Sequence, residues 1–315
     1  MRWGIIGPGS LLQRISNSFN LENDGPEIYA IASRSPERAK NAAQKYGAAM
    51  FYDSYEALVK DPQVEIVYVS TVSTTHMKCA ILALEAGKPV LCEKPFASNA
   101  AEARRMVDCA RANGVFLMEA MWTRYIPAVI QAKKWIDEGR IGKLRQIYAD
   151  FSYCAKPDSR SYDLSAGGSS LLDVGIYGIS LSCYMAGTPV KKIRALADFK
   201  GDVDDSCAIL LGFDGDVIAS ITGGFCVQSN QEAWFLGDKG SICLPSKFWK
   251  ATQALLTANT GEQLLYKHVP KAEGFEYELA EVERCVRQGL LESPLMPLDE
   301  SVSIMELMDS IQQVW

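Results

Sequence analysis

The sequence has little of what metal centres, membrane spans and nucleic-acid surfaces require. Only two of its 315 residues are histidine, and its nine cysteines are scattered without a Cys-x-x-Cys pair, so we expect no bound metal. No apolar run approaches the length of a membrane span, and no signal peptide is visible. A net charge of −6 gives no electrostatic reason to expect nucleic acid or an acidic membrane as a partner. These absences predict a cytoplasmic protein whose cysteines are free thiols.

Short apolar segments alternate with amphipathic segments through the first 121 residues. A chain of this length can form two domains, and strands alternating with helices predict a parallel, doubly wound sheet in the first of them. Ligands of such sheets bind at the carboxyl ends of the strands. The predicted strands are Arg2–Ile6, Glu27–Ala32, Ala49–Phe51, Ile66–Ser70, Val90–Glu93 and Val115–Glu119.

The first predicted strand runs into Gly7, Pro8, Gly9, Ser10 and Leu11, which lead into a helical segment. Glycines at such a turn let the backbone approach a pyrophosphate at the N-terminus of the helix. Leu12 stands in the third position of the pattern, where a small residue is usual. The segment therefore predicts a dinucleotide-binding loop, with a plain strand-turn-helix as the alternative.

The second predicted strand ends in Ser33 and Arg34, with Arg38 four residues further on. An NAD site usually has an acidic residue at this strand end to bind the ribose 2′-hydroxyl, and none is present here. A serine hydroxyl and two guanidinium groups would instead favour a 2′-phosphate. We therefore predict NADP as the cofactor, with NAD possible and with a solvated surface as the alternative role of the arginines.

After residue 121 the pattern changes to long strands separated by turns, which predicts a second domain over residues 122–315. A helix is predicted from Ile126 to Glu138, and hairpin signals such as Asp214-Gly215 favour antiparallel pairing. The second domain is thus expected to be α+β with a broad, mostly antiparallel open sheet. Its predicted strands are 142–153, 190–199, 205–213, 217–225, 231–236 and 240–244.

Lys94 lies at the end of a short apolar strand and is followed at once by Pro95. A lysine in a partly desolvated cleft can act as an acid, a base or a hydrogen-bond donor to a substrate oxygen. The alternative is a surface lysine beside Glu93. The dinucleotide loop earlier in the chain favours the catalytic interpretation.

The segment Gly167–Tyr177 has the apolar spacing of a helix, which would place Asp173 and Tyr177 on one face at positions i and i+4. A tyrosine is a weak acid at its ordinary pKa near 10, and a neighbouring ammonium would lower that pKa. We predict that the two residues act together in proton transfer. The alternative is an ordinary core contact.

Taken in order, these stretches resemble the Gfo/Idh/MocA oxidoreductase family, whose first domain carries Glu-Lys-Pro and whose second carries Gly-Gly-x-x-Leu-Leu-Asp-x-Gly-x-His or Tyr. The resemblance covers nearly the whole chain. Tyr177 in the usual histidine position and the run Met118–Pro127 look most like the dimeric dihydrodiol dehydrogenase branch, which prefers NADP. The resemblance implies a Rossmann first domain and a homodimer or homotetramer formed through the C-terminal sheet.

The family resemblance also implies an NAD(P)-dependent dehydrogenase acting on a CH–OH group of a small diol, sugar or polyol. Lys94 would bind the substrate oxygen and lower the pKa of Tyr177, Tyr177 would exchange the proton, and Asp173 would orient the substrate or Lys94. The implied substrate pocket consists of Trp122, Phe151, Arg160, Trp249 and Phe275. The implied cofactor-binding residues are Gly7, Pro8, Gly9, Ser10, Leu11, Ser33, Arg34, Arg38, Ser70, Thr71, His76, Glu93, Lys94, Trp122 and Arg124.

Several departures from the family pattern qualify these expectations. Leu12 and the segment Thr71–Thr75, which lacks the usual proline and asparagine, put the cofactor affinity in question. His76 is equally compatible with lining the cofactor pocket and with simply starting a helix, and an exposed loop position suits Arg160. The chain ends at Trp315 without the family's frequent Gly-x-x-Tyr-Pro, which fits a truncated or a shorter protein.

Two other functions stay open at this point. One is a nucleotide-sensing protein that has lost catalysis, against which the intact Lys94, Asp173 and Tyr177 argue. The other is a glycoside hydrolase that uses tightly held NAD, against which the Ser33-Arg34 pair and a tyrosine at position 177 argue.

Overall fold

The computed structural model describes residues 1–21 and 25–315, and these pack into two compact units. The first unit contains Met1–Trp122 together with Pro270–Met305. The second contains Thr123–Val269 and Glu306–Trp315. The predicted domain boundary after residue 121 stays a prediction. The structure differs from it in that residues 270–305 pack with the first unit.

The first unit is built on a parallel sheet whose described strands follow the order β3-β2-β1-β4-β5-β6. Their carboxyl ends lie on one edge of the sheet, which is where such folds bind ligands. β4 and β5 are buried along their whole length, because helices cover both faces of a parallel sheet. The strands are β1 Arg2–Ile6, β2 Glu27–Ala32, β3 Met50–Tyr52, β4 Ile66–Val69, β5 Val90–Glu93 and β6 Leu117–Ala120.

The helices between these strands begin and end at residues suited to those positions. Side-chain oxygens of Ser35, Ser54 and Asn99 accept backbone N–H groups of the first helical turn. Gly47 and Gly114 end two helices in the left-handed conformation. These helices are α1 Ser10–Ile15, α2 Pro36–Tyr46, α3 Tyr55–Lys60, α4 His76–Glu85 and α5 Ala100–Asn113.

Two further helices, α8 Phe275–Arg287 and α9 Leu298–Gln312, follow the last strand. The segment that carries α8 is joined to the first unit by specific bonds. The indole of Trp3 donates to Glu283 over 3.1 Å, and the backbone N–H of Leu117 donates to the carbonyl of Leu291 over 3.1 Å. These contacts explain why residues 270–305 belong with the parallel sheet.

The second unit is built on a sheet with the described strand order β14-β13-β12-β11-β7-β10-β9-β8. The pair β7 and β10 is parallel and the other neighbouring pairs are antiparallel, so the predicted mostly antiparallel sheet is confirmed. The strands are β7 Leu144–Ser152, β8 Val190–Lys200, β9 Val203–Phe213, β10 Ile218–Gly224, β11 Ala233–Gly237, β12 Gly240–Leu244, β13 Gln253–Ala258 and β14 Gln263–Lys267. The sequence did not predict β13 and β14.

One face of this sheet is covered by α6 Pro127–Asp137 and α7 Ile176–Ala186. α7 follows a π-helical turn at Leu171–Gly175, where the sequence predicted a regular helix. Glycines permit the close packing of this segment on β10. A Cβ atom at Gly178 would lie 2.6 Å from Cγ2 of Ile221, and one at Gly223 would lie 3.2 Å from the nitrogen of Gly175.

Candidate active site

The glycine-containing loop after β1 is fixed against the end of β4. Gly7 has φ +90°, and a Cβ atom there would lie 2.6 Å from Cγ2 of Thr71 and 3.1 Å from its backbone. The hydroxyl of Ser70 donates to the Gly7 carbonyl over 2.8 Å, and the Gly7 N–H donates to Ala32 over 3.1 Å. Position 7 therefore requires glycine, both for its conformation and for the space available.

Downstream of Gly7 the loop opens towards solvent. Gly9 and Ser10 are exposed, Pro8 and Leu11 are half-buried, and Leu12 is fully buried. A cradle lined by small, exposed backbone positions is what a dinucleotide phosphate requires. Leu12 is accommodated in the core beneath the loop, so the larger residue in the third position does not prevent the turn.

Basic and hydroxyl groups gather at the end of β2. Ser33 is buried, and its oxygen accepts the N–H of Ser35 over 3.3 Å. Arg34 and Arg38 are exposed, and Arg34 forms a side-chain hydrogen bond with the hydroxyl of Tyr55. Burial raises the pKa of Tyr55, while that bond and the charges of the two arginines oppose the rise. The end of β2 therefore carries two exposed positive charges and one buried hydroxyl group.

The segment after β4 is held by its own side chains. Thr75 donates from its hydroxyl to the carbonyl of Val72 over 2.9 Å and lies 2.8 Å from the hydroxyl oxygen of Thr71. His76 is buried, and its two ring nitrogens face the carbonyls of Thr71 and Pro95. The departure from the family pattern at Thr71–Thr75 therefore produces an ordered loop.

Lys94 follows β5 and is half-buried, next to the buried carboxylate of Glu93. Oε2 of Glu93 accepts the backbone N–H of Lys94 over 3.1 Å, and Oε1 accepts the hydroxyl of Tyr68. The Lys94–Pro95 peptide bond is cis. Both oxygens of Glu93 thus take part in fixing the backbone at which the lysine side chain begins.

A second carboxyl group, that of Glu278 on α8, is fully buried in the same unit. Neither of its oxygens meets a hydrogen-bond partner among residues 1–21 and 25–315. Burial raises the pKa of Glu278 well above its ordinary value, and the charge of Glu93 raises it further. Glu278 is therefore harder to ionise than a carboxyl group in water.

The four aromatic residues predicted for the substrate pocket form two stacked pairs, one within each unit. In the first unit the rings of Trp122 and Phe275 stack with centroids 4.1 Å apart. Arg14 lies 5.2 Å from the Phe275 ring and forms an ion pair with Glu273 over 3.1 Å. The pair is therefore bordered by charge on one side.

In the second unit the rings of Phe151 and Trp249 stack with centroids 3.5 Å apart and planes 4° apart. The ring of Tyr177 lies 5.5 Å from Phe151 and 6.3 Å from Trp249. Tyr177 is buried at the start of α7, so its phenol belongs to an aromatic cluster within this unit. An apolar wall of this kind suits the carbon skeleton of a small ligand.

Asp173 lies in the π-helical turn that precedes α7 and is half-buried. A π-helix places residues i and i+5 above one another, so the predicted i and i+4 alignment of Asp173 with Tyr177 is loosened. The hydroxyl of Tyr153 lies 3.5 Å from Oδ2 of Asp173 and 3.0 Å from the hydroxyl of Ser161. The turn therefore brings Asp173 beside a second tyrosine.

Two predicted arginines occupy different settings. Arg124 is buried in the second unit, where its guanidinium donates to the side chain and carbonyl of Ser180 over 3.2 and 3.1 Å. It also lies 4.5 Å from the ring of Tyr184. These contacts give Arg124 a structural role, and its contact with cofactor stays a prediction. Arg160 is exposed in a 3-10 turn, as its sequence setting suggested.

The structure adds residues that sequence reasoning did not select. Tyr55 contacts Arg34, Tyr68 and Glu278 surround Glu93, and Tyr153 contacts Asp173. Tyr153 could have been found, because it lies two residues after Phe151 and residues so spaced in a strand share a face. Tyr55, Tyr68 and Glu278 could not, because packing between separate elements brings them to these positions.

In the described chain no helix is both long and apolar enough to cross a bilayer. A search of the same residues finds no group of three His, Cys, Asp or Glu side chains placed to hold a metal ion.

Two family models match the chain. The model described as an oxidoreductase family with an NAD-binding Rossmann fold matches residues 1–121, and the GFO/IDH/MocA C-terminal domain matches residues 129–243. The human trans-1,2-dihydrobenzene-1,2-diol dehydrogenase is 36% identical over 326 residues, which cover 99% of this chain and 96% of that protein. The chain belongs to the Gfo/Idh/MocA oxidoreductase family. The predicted family and its dihydrodiol dehydrogenase branch are thereby confirmed.

Solved structures of Gfo/Idh/MocA-like oxidoreductases share the fold over the whole chain. A 3-ketoreductase from Actinomadura kijaniata, in complex with NADP and TDP-benzene, matches with a TM-score of 0.89 and 26% identity, covering 99% of this chain and 97% of that one. Levoglucosan dehydrogenase in complex with NADH and levoglucosan matches with a TM-score of 0.90 at 20% identity, covering 100% and 96%. The fold class predicted from the sequence is confirmed, and so is the class of enzyme, an NAD(P)-dependent oxidoreductase.

Proposed function

We propose that this Gfo/Idh/MocA member is an NADP-preferring dehydrogenase that transfers hydride between nicotinamide and a secondary alcohol or carbonyl of a diol, sugar or polyol. The observation that carries the proposal is the placement of Lys94. It follows β5 at the sheet edge that also bears the Gly7 loop, with its backbone fixed by the buried carboxylate of Glu93. A half-buried lysine at a dinucleotide-binding edge is suited to binding a reacting oxygen.

The names of the relatives and the aromatic pairs support the proposed substrate class. Relatives from human and Macaca fascicularis, each 36% identical, are named for a vicinal diol on a six-carbon ring. Stacked pairs such as Phe151 with Trp249 offer flat apolar surfaces, while Asp173 and Tyr153 offer polar groups in the same unit. That combination favours a ring with adjacent hydroxyl groups.

We assign the acid–base chemistry to Lys94 and Tyr177, with Asp173 as the orienting group. Lys94 donates a hydrogen bond to the substrate oxygen, and its positive charge favours the phenolate of Tyr177. Tyr177 exchanges the proton with that oxygen, and Asp173 orients the substrate or Lys94. When bound, the nicotinamide supplies or accepts the hydride.

NADP preference is assigned to the end of β2. Ser33 uses its oxygen to accept the N–H of Ser35, which leaves its hydroxyl hydrogen to donate to a phosphate. Arg34 and Arg38 are exposed and positively charged, and no acidic residue occupies the strand end between Ala32 and Ser35. A 2′-phosphate would receive charge-assisted hydrogen bonds there, which a ribose hydroxyl cannot match.

A panel assay tests the proposed activity. Nicotinamide absorbance is followed with NADP or NAD against vicinal diols, aldoses and inositols. We expect net NADP reduction with at least one of them and a smaller kcat/KM with NAD. Stoichiometric cofactor binding without turnover of any compound would favour a sensor, and turnover of a glycoside without net reduction would favour a hydrolase.

We also propose that the chain forms a homodimer or homotetramer through the uncovered face of the second sheet. Tyr148 pairs with Trp234 and with Ser220, and Ser220 pairs with Leu210, so these side chains share one face. Leu210 is 50% exposed and Leu196 on the neighbouring strand is 76% exposed. An apolar sheet face of this kind is typical of subunit interfaces.

The mass of the protein in solution tests this assembly. We expect wild type to sediment as two or four chains and Leu210→Asp to shift it towards one. Leu164→Asp serves as the control, because Leu164 is exposed on a short turn outside the sheet. A wild-type mass of one chain, or equal effects of both substitutions, would rule out this interface.

A further inference from the structure

His76 stands at the first position of α4 with both ring nitrogens directed at backbone carbonyls. Nδ1 lies 2.9 Å from the oxygen of Pro95, and Nε2 lies 3.1 Å from the oxygen of Thr71. The side chain is 1% exposed. The ring is therefore enclosed between these two backbone segments, and its contact with cofactor stays a prediction.

The two carbonyls belong to different functional loops. Pro95 directly follows Lys94, while Thr71 is the residue whose backbone and methyl group contact Gly7. One imidazole thus spans from the Thr71 loop, which lies against Gly7 of the dinucleotide loop, to the peptide that carries the proposed catalytic lysine. The two loops follow β4 and β5, which are paired neighbours in the sheet.

The number of hydrogen bonds that the imidazole donates to the two carbonyls depends on its protonation. Both carbonyls accept hydrogen bonds, and a neutral imidazole has one N–H to donate, whereas an imidazolium has two. Burial lowers the pKa of His76 and the charge of Lys94 lowers it further, while the two carbonyls oppose this. A neutral ring therefore donates to one loop at a time, through whichever nitrogen carries the hydrogen.

We propose that His76 is a positioning residue that holds the Lys94–Pro95 peptide and the Thr71 loop in register, so that Lys94 and the dinucleotide loop keep one fixed geometry. The inference rests on the proposed role of Lys94 in hydride transfer. It assigns to one side chain two separable effects. The bond to Pro95, made when Nδ1 carries the hydrogen, supports the catalytic rate, and the bond to Thr71, made when Nε2 carries it, supports cofactor affinity.

Two amide substitutions separate these effects. The side-chain nitrogen of asparagine can occupy the place of Nδ1, so His76→Asn keeps a donor towards Pro95. That of glutamine can reach the place of Nε2, so His76→Gln keeps a donor towards Thr71. We expect His76→Asn to raise the Kd for NADP about tenfold with little change in kcat, and His76→Gln to lower kcat about tenfold with little change in Kd. His76→Leu should show both losses.

Leu84→Ala is the matched control for lost stability. Leu84 is fully buried on the same helix, so its truncation lowers the melting temperature without separating kcat from Kd. Equal effects of His76→Asn and His76→Gln, or effects no larger than those of Leu84→Ala, would overturn the positioning role. Full activity of Lys94→Met would instead overturn the proposed function.

A measurement on the unaltered protein covers the case in which the variants do not fold. The chain has two histidines, so ring nitrogen-15 signals can be assigned by comparison with His268→Gln. We expect His76 to give one protonated and one unprotonated nitrogen at pH 6, with slow exchange of its hydrogen. A ring that titrates near pH 6.5 with rapid exchange would contradict the bridge.

Discussion

Arg34 is the residue on which the proposed cofactor preference most depends. Its guanidinium is exposed beside the Tyr55 hydroxyl at the end of β2. We expect Arg34→Ala to weaken NADP binding by about 1.5 to 3 kcal/mol, the range for a hydrogen bond to a charged group, with little change for NAD. Fluorescence titration with both cofactors measures this.

Arg140→Ala provides the control for a general loss of surface charge, because Arg140 is an exposed arginine after α6. It should leave both affinities near wild type. An equal loss of NADP and NAD affinity in Arg34→Ala would refute the assignment of Arg34 to the 2′-phosphate.

Glu278 is expected to make the free energy of unfolding depend on pH. Its pKa is raised above the ordinary 4.5, first by burial and then by the charge of Glu93. The folded protein therefore keeps a proton that the unfolded chain has released. Above about pH 4.5 this group lowers the free energy of unfolding as pH rises, by at most about 1.4 kcal/mol per pH unit, until its folded-state pKa is passed.

Glu278→Gln cannot ionise, so we expect it to remove that part of the slope. The variant should gain stability relative to wild type between pH 5 and pH 8, as read from urea unfolding midpoints. Glu262→Gln is the control, since Glu262 is exposed on the turn between β13 and β14. Parallel pH profiles for wild type and Glu278→Gln would show that Glu278 is ionised in the folded protein.

At the scale of residues, the sequence indicated which residue types stand at the candidate site, but it did not indicate which side chains surround them. The absence of an acid at the end of β2 and the Lys94-Pro95 pair could be interpreted directly. The partners of Glu93 could not, because Tyr68 is 25 positions and Glu278 185 positions away along the chain. Only the packing of β4, β5 and α8 defines that cluster.

At the scale of elements, close packing of α7 on β10 positions the segment that carries Tyr177. A Cβ atom at Gly178 would lie 2.6 Å from Cγ2 of Ile221, a stiff β-branched side chain that cannot easily move aside. We expect Gly178→Ala to destabilise the protein by about 1 to 3 kcal/mol through overpacking. The displacement should also reduce kcat, since Tyr177 is the adjacent residue.

A double-mutant cycle with Ile221→Ala isolates this contact. Ile221→Ala alone should cost about 2 to 5 kcal/mol, and the double variant should cost less than the sum of the two, because the added methyl fills space that the isoleucine vacates. Unfolding midpoints measure all four proteins. Strict additivity would show that the two positions do not press on each other.

Elements with strong periodicity or turn signals were predicted well. β1, β2 and β12 have the bounds that the sequence indicated. The π-helical turn at Leu171–Gly175 was not predicted, since its apolar spacing is compatible with an ordinary helix. β14 is the edge strand and β13 lies next to it, and both are short segments with a weak sequence pattern.

At the scale of the whole molecule, chain order and spatial grouping differ. The sequence predicts two domains that are each continuous along the chain, with a boundary near residue 121, whereas the structure groups Met1–Trp122 with Pro270–Met305. The sequence does not predict that residues 270–305 return to the first unit, because the bonds of Trp3 and Leu117 to that segment span more than 170 positions. Contacts between segments so far apart along the chain leave no local pattern in a sequence.

The proposed role of Lys94 can be tested within the first unit, to which that residue belongs. Two lysines, each followed by proline, flank β5 and make a matched pair for testing it. Lys88 precedes the strand, and its ammonium donates to the carbonyls of Asp61 and Val64 over 2.8 and 2.7 Å, which is a structural role. Lys94 follows the strand and carries the proposed chemistry.

The most direct test of the catalytic role of Lys94 is the rate of NADPH formation. It is measured in Lys94→Met and Lys88→Met, each saturated with NADP and with the best compound of the panel. We expect Lys94→Met to lose at least about a hundredfold in kcat, as for removal of an acid–base group, with its Kd for NADP within about threefold of wild type. Lys88→Met should lose stability and keep kcat. Activity of Lys94→Met within about tenfold of wild type would remove Lys94 from the mechanism and contradict the account.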